Sequence, residues 1–404
     1  MQYKVLFKRC LLAIVVMFVV TSLQAQREMK TINDNWEFRK TIDESWESVN
    51  LPHTFNIDAY QQRNYYQGKG FYRRTLVLPE IVAERRYYMK IDAASKAANI
   101  RVNGKEVGSH VGGYTACIVD ITEYIRKENL IEITVDNGRK DITPISADFT
   151  FWGGIYRDVW LISTPKQHFN MSNMGSDGIF ISTPVVNEKR GVLKVKCEVT
   201  NDSHESSILE VRSAIYSPQG KLLQTIKQKQ KLKSGETYIF ENTSGAIESP
   251  DLWSPETPSL YLVKTTLVDP KSGKLLDEKN HKVGFRWFTF DGSKGFFLNG
   301  KSYKLRGLNR HQDQAPAGVA LDDEAHRRDI FLMKELGCNF IRISHFPQDD
   351  AILEMCDELG LLAWEEIPII NIVPNTPGYD DNCEYNLREM IRQRSAEHTS
   401  ELQS

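Results

Sequence analysis

Cysteine is scarce, with six in 404 residues and no two of them at a CxxC spacing. That excludes a disulfide framework and a zinc-ribbon type of metal site. No charge of one sign dominates either, because 51 Lys and Arg face 53 Asp and Glu and leave a formal net charge of −2. Nucleic acid as a partner has no electrostatic basis in such a chain. Long apolar runs are also missing, apart from one near the start, Leu11 to Val20, and that run falls short of the ~20 residues that span a bilayer. The composition otherwise, 41% apolar and 26% charged, is that of an ordinary globular protein of more than one domain.

The exceptional run follows Lys4, Lys8 and Arg9 and precedes Leu23-Gln24-Ala25, a small-residue cleavage pattern. Residues 1–25 read as a secretory signal peptide, so the protein is expected to be exported, periplasmic or extracellular, with no stable membrane span. Without those residues the formal charge is −5. Five cysteines remain, and Cys338 and Cys356 fall at apolar strand and helix positions, where cysteine behaves as a small hydrophobe.

From 26 to 163 the pattern is all-β. Gly70 to Leu78, Tyr87 to Ile91, Asn99 to Val102 and Leu130 to Val135 alternate or run apolar for strand lengths, and Asn103-Gly104 supplies a two-residue hairpin. This predicts a jelly-roll sandwich. After a linker near 164–169, five more strands between Leu193 and Val268, with Pro218-Gln219-Gly220 as one turn, predict an immunoglobulin-like sandwich over 164–285. Nothing in it carries chemistry.

Beyond about Val283 the period changes. Tyr303 to Leu308 is expected as a strand and Asp322 to Leu336 as an amphipathic helix with Ile330, Met333 and Leu336 on its apolar face. Cys338 to Pro368 then reads strand, helix, strand, with Asp349 and Asp350 opening the helix and Gly360 closing it. Glu384 to Gln393 begins a further helix. Alternating strands and helices imply a parallel sheet, whose functional edge lies at the carboxyl ends of its strands. Arg342, His345, Glu365 and Glu366 all fall at that edge. Residues 286–393 thus read as about three βα units, the first part of a (β/α)8 TIM barrel. Residues 394–404 are polar and aperiodic and are expected to be a non-native tail, so His398 receives no role.

Four elements in this order resemble glycoside hydrolase family 2: Gly153-Gly154-Ile155-Tyr156-Arg157-Asp158-Val159, Gly307-Leu308-Asn309-Arg310-His311, Arg342-Ile343-Ser344-His345-Phe346-Pro347 and Asp357-Glu358-Leu359-Gly360-Leu361. The resemblance covers nearly all of 29–393. It implies a sugar-binding jelly roll, an immunoglobulin-like sandwich and a TIM barrel, acting on an oligosaccharide or β-galactoside by a retaining double displacement. By the same resemblance Asp148 and His345 bind substrate hydroxyls, while Arg342, Glu366, Asn309 and His311 support them. Gly307 to Asp313 and Trp364 to Pro368 look more like β-galactosidases than β-glucuronidases.

A retaining glycosidase needs two carboxyl groups about 5 Å apart. In the family the first is introduced by an Asn-Glu pair, and none occurs between 286 and 393. Catalytic residues are therefore expected beyond Gln393, and the chain as written is expected to be an inactive fragment. It is expected to need no cofactor of its own; a divalent cation in the full-length enzyme would take its ligands beyond Gln393. The competing readings are a carbohydrate-binding module that holds glycan through Trp152, Tyr114 or Asp148 without catalysis, and the same family with β-glucuronidase or β-mannosidase specificity. Oligomeric state is not legible.

Overall fold

The structure, a computed structural model, describes residues 26–394; the signal-peptide reading of 1–25 and all but the first residue of the expected tail lie outside them. The first unit is built from two antiparallel sheets. One has four strands, in the order Glu28–Thr31, Val159–Pro165, Arg85–Ile91, Cys117–Asp120. The other has six and centres on Lys69–Val77, Glu128–Asp136 and Ala97–Val102. Along Glu128–Asp136 residues alternate between core and surface, so Ile131, Ile133 and Val135 enter a common core with Trp36, Phe38, Met89 and Ile100. Asn103 and Gly104 both adopt positive φ, 52° and 77°, as a tight hairpin between Ala97–Val102 and Lys105–Val111 demands.

The expected linker at 164–169 is instead paired backbone. Val159–Pro165 stays in the first unit, and Gln167–Phe169 already pairs with Arg190–Asn201 of the second. That second unit packs a five-stranded sheet on a four-stranded one around Leu193, Val195, Val211, Phe240 and Val263. Arg27 ties the units together through a buried ion pair with Asp277 at 2.7 Å.

A three-stranded antiparallel sheet, Phe288–Asp291, Gly295–Leu298 and Lys301–Ser302, leads into a parallel sheet of three strands, Gly307–Arg310, Phe340–Ile343 and Leu362–Trp364. The first parallel strand begins at Gly307, not at Tyr303. The Asn339 side chain takes over the backbone of the preceding residues, accepting from Arg306 N at 2.7 Å and donating to Lys304 O at 3.0 Å, so those residues are satisfied without a ladder.

Three helices follow the strands: Asp323–Glu335, Asp350–Leu359 and Tyr379–Gln393. Asp322 and Asp349 cap the first two by accepting from Ala325 N and Ala351 N, and Gly360 ends the second in the left-handed region at φ 76°. Ile330 is buried under the sheet, whereas Leu336, expected on the apolar face, is 75% exposed. The last helix starts at Tyr379, one turn before the expected Glu384, after Gly378 at φ 80°.

That last helix lies against the first unit. Glu389, 2% exposed, accepts from Thr115 Oγ1 at 2.7 Å and from His110 Nε2 at 3.0 Å, and Gln393 spans Ala116 N and O, each at 2.8 Å. Tyr114 stacks on Phe346 with centroids 4.1 Å apart, and Arg157 donates to Pro347 O at 2.8 Å. The first unit is thereby a wall of the parallel-sheet unit, and its 137–153 loop hangs over the carboxyl ends of the parallel strands.

Candidate functional site

Strand Phe340–Ile343 sends Arg342 toward the edge that the following turn, Ser344 to Pro347, completes with His345. Glu366 comes from just beyond the neighbouring strand, Leu362–Trp364. These three side chains meet. Arg342 Nη2 donates to Glu366 Oε1 at 2.7 Å, and His345 Nδ1 lies 2.9 Å from the same oxygen and 3.1 Å from Arg342 Nη2. A carboxylate facing Nδ1 favours the tautomer with its proton there, which leaves Nε2 as the ring nitrogen with a free lone pair. Glu366, itself held by Arg342, therefore fixes the imidazole.

Glu365, the adjacent residue, faces the other way. It lines a cavity of about 300 Å³ behind the sheet with Asp323, Asp349 and Asp158, and desolvation lifts its carboxyl to about 7. Consecutive residues of extended chain point to opposite faces, so the two glutamates cannot act as one pair.

On the open side, a cleft of about 1050 Å³ is lined by Tyr60, Arg63, Asp148, Phe149, His311 and Asp313 among others. Asp148 is exposed on the 137–153 loop with no hydrogen bond or ion pair among the described residues. Burial first, and then the Asp313 charge, raise the Tyr60 phenol above its ordinary range. His311 follows strand Gly307–Arg310, and its ring is 5.2 Å from that of His345. The structure thus gathers Asp148, His311, His345, Arg342 and Glu366 at one edge. Asn309 lies on the same strand, exposed, as the cross-strand partner of Arg342.

Sequence reasoning missed Phe149. Its ring stacks on His345 at 5.8 Å and 17° and reaches His311 at 6.0 Å. An aromatic beside Asp148 in a polar loop was the one available signal. Also missed was Arg310, 3% exposed, which donates to Asp329 Oδ2 at 2.7 Å and to Gln348 Oε1 at 2.6 Å and so fixes the turn after Ile343.

A sandwich whose loop overhangs the carboxyl edge of a parallel sheet, with carboxylate, imidazole and aromatic groups facing one cleft, has the layout of a small-molecule site at the strand ends of an α/β unit. Three domain models match it in succession: the sugar binding domain of glycosyl hydrolases family 2 at 13–165, the family 2 domain at 177–286, and the family 2 TIM barrel domain at 291–398. The chain belongs to glycoside hydrolase family 2. Among solved structures it is similar to a Bacteroides uniformis β-glucuronidase, 58% identical with a TM-score of 0.90, over 92% of this chain and 46% of that one. It is also similar to a calcium binding mutant of Bacteroides uniformis β-glucuronidase 2, 57% identical with a TM-score of 0.87, again over 92% and 46%. A β-galactosidase of Thermoanaerobacter pseudethanolicus is 33% identical over 89% of this chain and 47% of its own length. The chain spans about half the length of these relatives.

Proposed function

We propose that this chain is the substrate-holding half of an exported, retaining β-glycosidase that acts on β-glucuronides. The observation that carries the glucuronide reading is the 58% identity to a β-glucuronidase over 92% of the chain. In this reading the three parallel strands and their helices begin a (β/α)8 barrel. Asp148 accepts from one sugar hydroxyl and His345, braced by Glu366 and Arg342, hydrogen-bonds its neighbour. The two carboxyl groups that protonate the leaving oxygen and attack the anomeric carbon come from outside residues 26–394, since Glu365 and Glu366 face apart. The Gly307 to Asp313 and Trp364 to Pro368 stretches, together with relatives called β-galactosidase, favour a second reading in which the substrate is a β-galactoside. A panel of p-nitrophenyl β-glucuronide, β-galactoside and β-mannoside on the full-length protein separates them. Preference for the galactoside by tenfold or more in kcat/KM would overturn the first reading.

A divalent cation belongs to the same proposal, with ligands inside this chain rather than beyond Gln393. The two aspartates altered in the calcium binding mutant are 26 positions apart, and Asp323 and Asp349 have that separation. Asp251 and Asp277 share it, but Asp277 is bound tightly to Arg27 at 2.7 Å, whereas Asp349 has only a long ion pair with Arg157 at 3.9 Å. Asp323 and Asp349 stand at the N-termini of successive helices and face one cavity with Asp158. Burial and then the charges of Asp349 and Asp158 lift Asp323 to about 6. Oxygen donors crowded in this way suit calcium. Among the described residues no three acidic or imidazole side chains are arranged to hold a metal ion as they stand, so binding would have to draw these carboxylates together. No step of the reaction is routed through the ion.

A further inference from the structure

We infer that Phe149 is a positioning residue that sets the spacing between Asp148 and His345, the acceptor and the imidazole that meet one sugar ring; the inference rests on the glycosidase reading. Asp148 is exposed and has no polar partner of its own among the described residues, so its place is inherited from its neighbours in the loop. The loop is pinned just beyond it. Phe151 N donates to Tyr65 Oη at 2.7 Å, and Phe151 O accepts from Asn137 Nδ2 at 2.7 Å and Asn56 Nδ2 at 3.1 Å. Between that anchor and Asp148, the only large side chain turned to the parallel-sheet unit is Phe149.

Its ring is contacted from four directions. It lies nearly parallel to His345 at 5.8 Å and 17°, and it meets Phe151 at 5.8 Å and Phe346 at 5.7 Å edge-on. It is tilted against His311 at 6.0 Å. Phe346 is itself stacked on Tyr114, so the cluster is rigid on both sides of the interface. The other end of the His345 imidazole is fixed by Glu366 at 2.9 Å. One face of His345 is therefore covered by the residue that adjoins Asp148 in the chain, and its Nδ1 is held by a carboxylate. Phe149 thus ties the loop that carries Asp148 to the braced imidazole. A ring that only filled the interface would not need to be parallel to the imidazole, nor adjoin a carboxylate without a partner.

The test compares wild type, Phe149→Leu and Phe149→Tyr by NMR titration of the 404-residue chain with methyl β-glucuronide and methyl β-galactoside, following both the sugar signals and the histidine ring protons. Thermal melts of each variant check folding. Leucine keeps apolar bulk and loses the plane; tyrosine keeps the plane. The expected result is that Phe149→Leu weakens sugar binding about five- to tenfold, in line with the loss of an aromatic pair, with a melting temperature near wild type. The His345 ring protons should lose the upfield shift that the stacked ring imposes. Phe149→Tyr should restore both readouts. If wild type binds sugar and Phe149→Leu binds equally well, or if both variants weaken binding alike, this inference is overturned while the glycosidase reading stands. If wild type binds neither sugar, that reading of the site fails and the inference falls with it.

Discussion

Glu365 and Glu366 are adjacent in sequence and serve opposite sides of one sheet: Glu366 reaches Arg342 and His345 over the cleft, while Glu365 faces the cavity behind, near Asp323 and Asp349. Their substitutions should therefore separate cleanly. In the full-length enzyme, His345→Ala should lower kcat/KM about 10²-fold or more on every aryl glycoside, as losing a transition-state hydrogen bond does. Glu365→Gln should change it less than threefold. Equal losses for the two variants would contradict the opposed facing.

The same pair gives a pH prediction. Glu365 has its carboxyl raised from 4.5 to about 7 by desolvation, so the folded state binds more protons than the unfolded state between those values. Stability must then fall as pH rises through that window, by up to about 1.4 kcal/mol per unit, and the penalty is fully present above it. Glu365→Gln removes the ionisable group. Its stability should be closest to wild type at pH 4.5 and should exceed it at pH 8; urea melts at both values check this, and a variant less stable at pH 8 would refute it.

Glu389 bonds both His110 and Thr115 across the interface between the last helix and the first sheet unit. Glu389→Ala strands two buried polar groups and should cost about 1–3 kcal/mol. Hydrogen exchange should then accelerate in 379–393 and in the strand Lys105–Val111 together. Acceleration confined to the helix would mean that the contact carries no coupling.

Millimolar calcium should raise the melting temperature of wild type by several degrees through preferential binding to the folded state, and chelation should reverse it. Asp323→Asn should abolish the calcium response. Because the substitution also relieves like-charge crowding, its melting temperature without calcium should equal or exceed that of wild type. A calcium response that survives in Asp323→Asn places the ion elsewhere.

The 404-residue chain itself should give no turnover of p-nitrophenyl β-glucuronide or β-galactoside above the buffer rate, since Glu365 and Glu366 face opposite ways and cannot converge on a glycosidic bond. Detectable hydrolysis by the purified chain would sink that assignment.

Local rules carried the elements whose cause is local. Asn103-Gly104 marked its hairpin, Asp322 and Asp349 marked helix starts and Gly360 a helix end, because each acts through backbone geometry within four residues. Distant partners overrode the rest. Asn339 displaced the start of a strand by satisfying backbone 33 residues away at Arg306. The edge cluster was legible as residue types at strand ends, and the resemblance supplied Asp148. Phe149 was not legible, because its role depends on rings at 311, 345 and 346 that only the assembled interface brings within 6 Å.

The overhanging loop has a consequence for how such proteins diverge. One side of the cleft is encoded near codon 148 and the other near codon 345, in units whose main cores are separate and meet through one shared cluster of Tyr114, Trp152, Val319 and Phe346. Mutations in the loop can reshape what enters the cleft without disturbing the folding of the parallel sheet, so substrate preference can drift within a lineage while the machinery at the strand ends stays fixed. Relatives of similar architecture that carry different sugar names are the pattern this arrangement would leave.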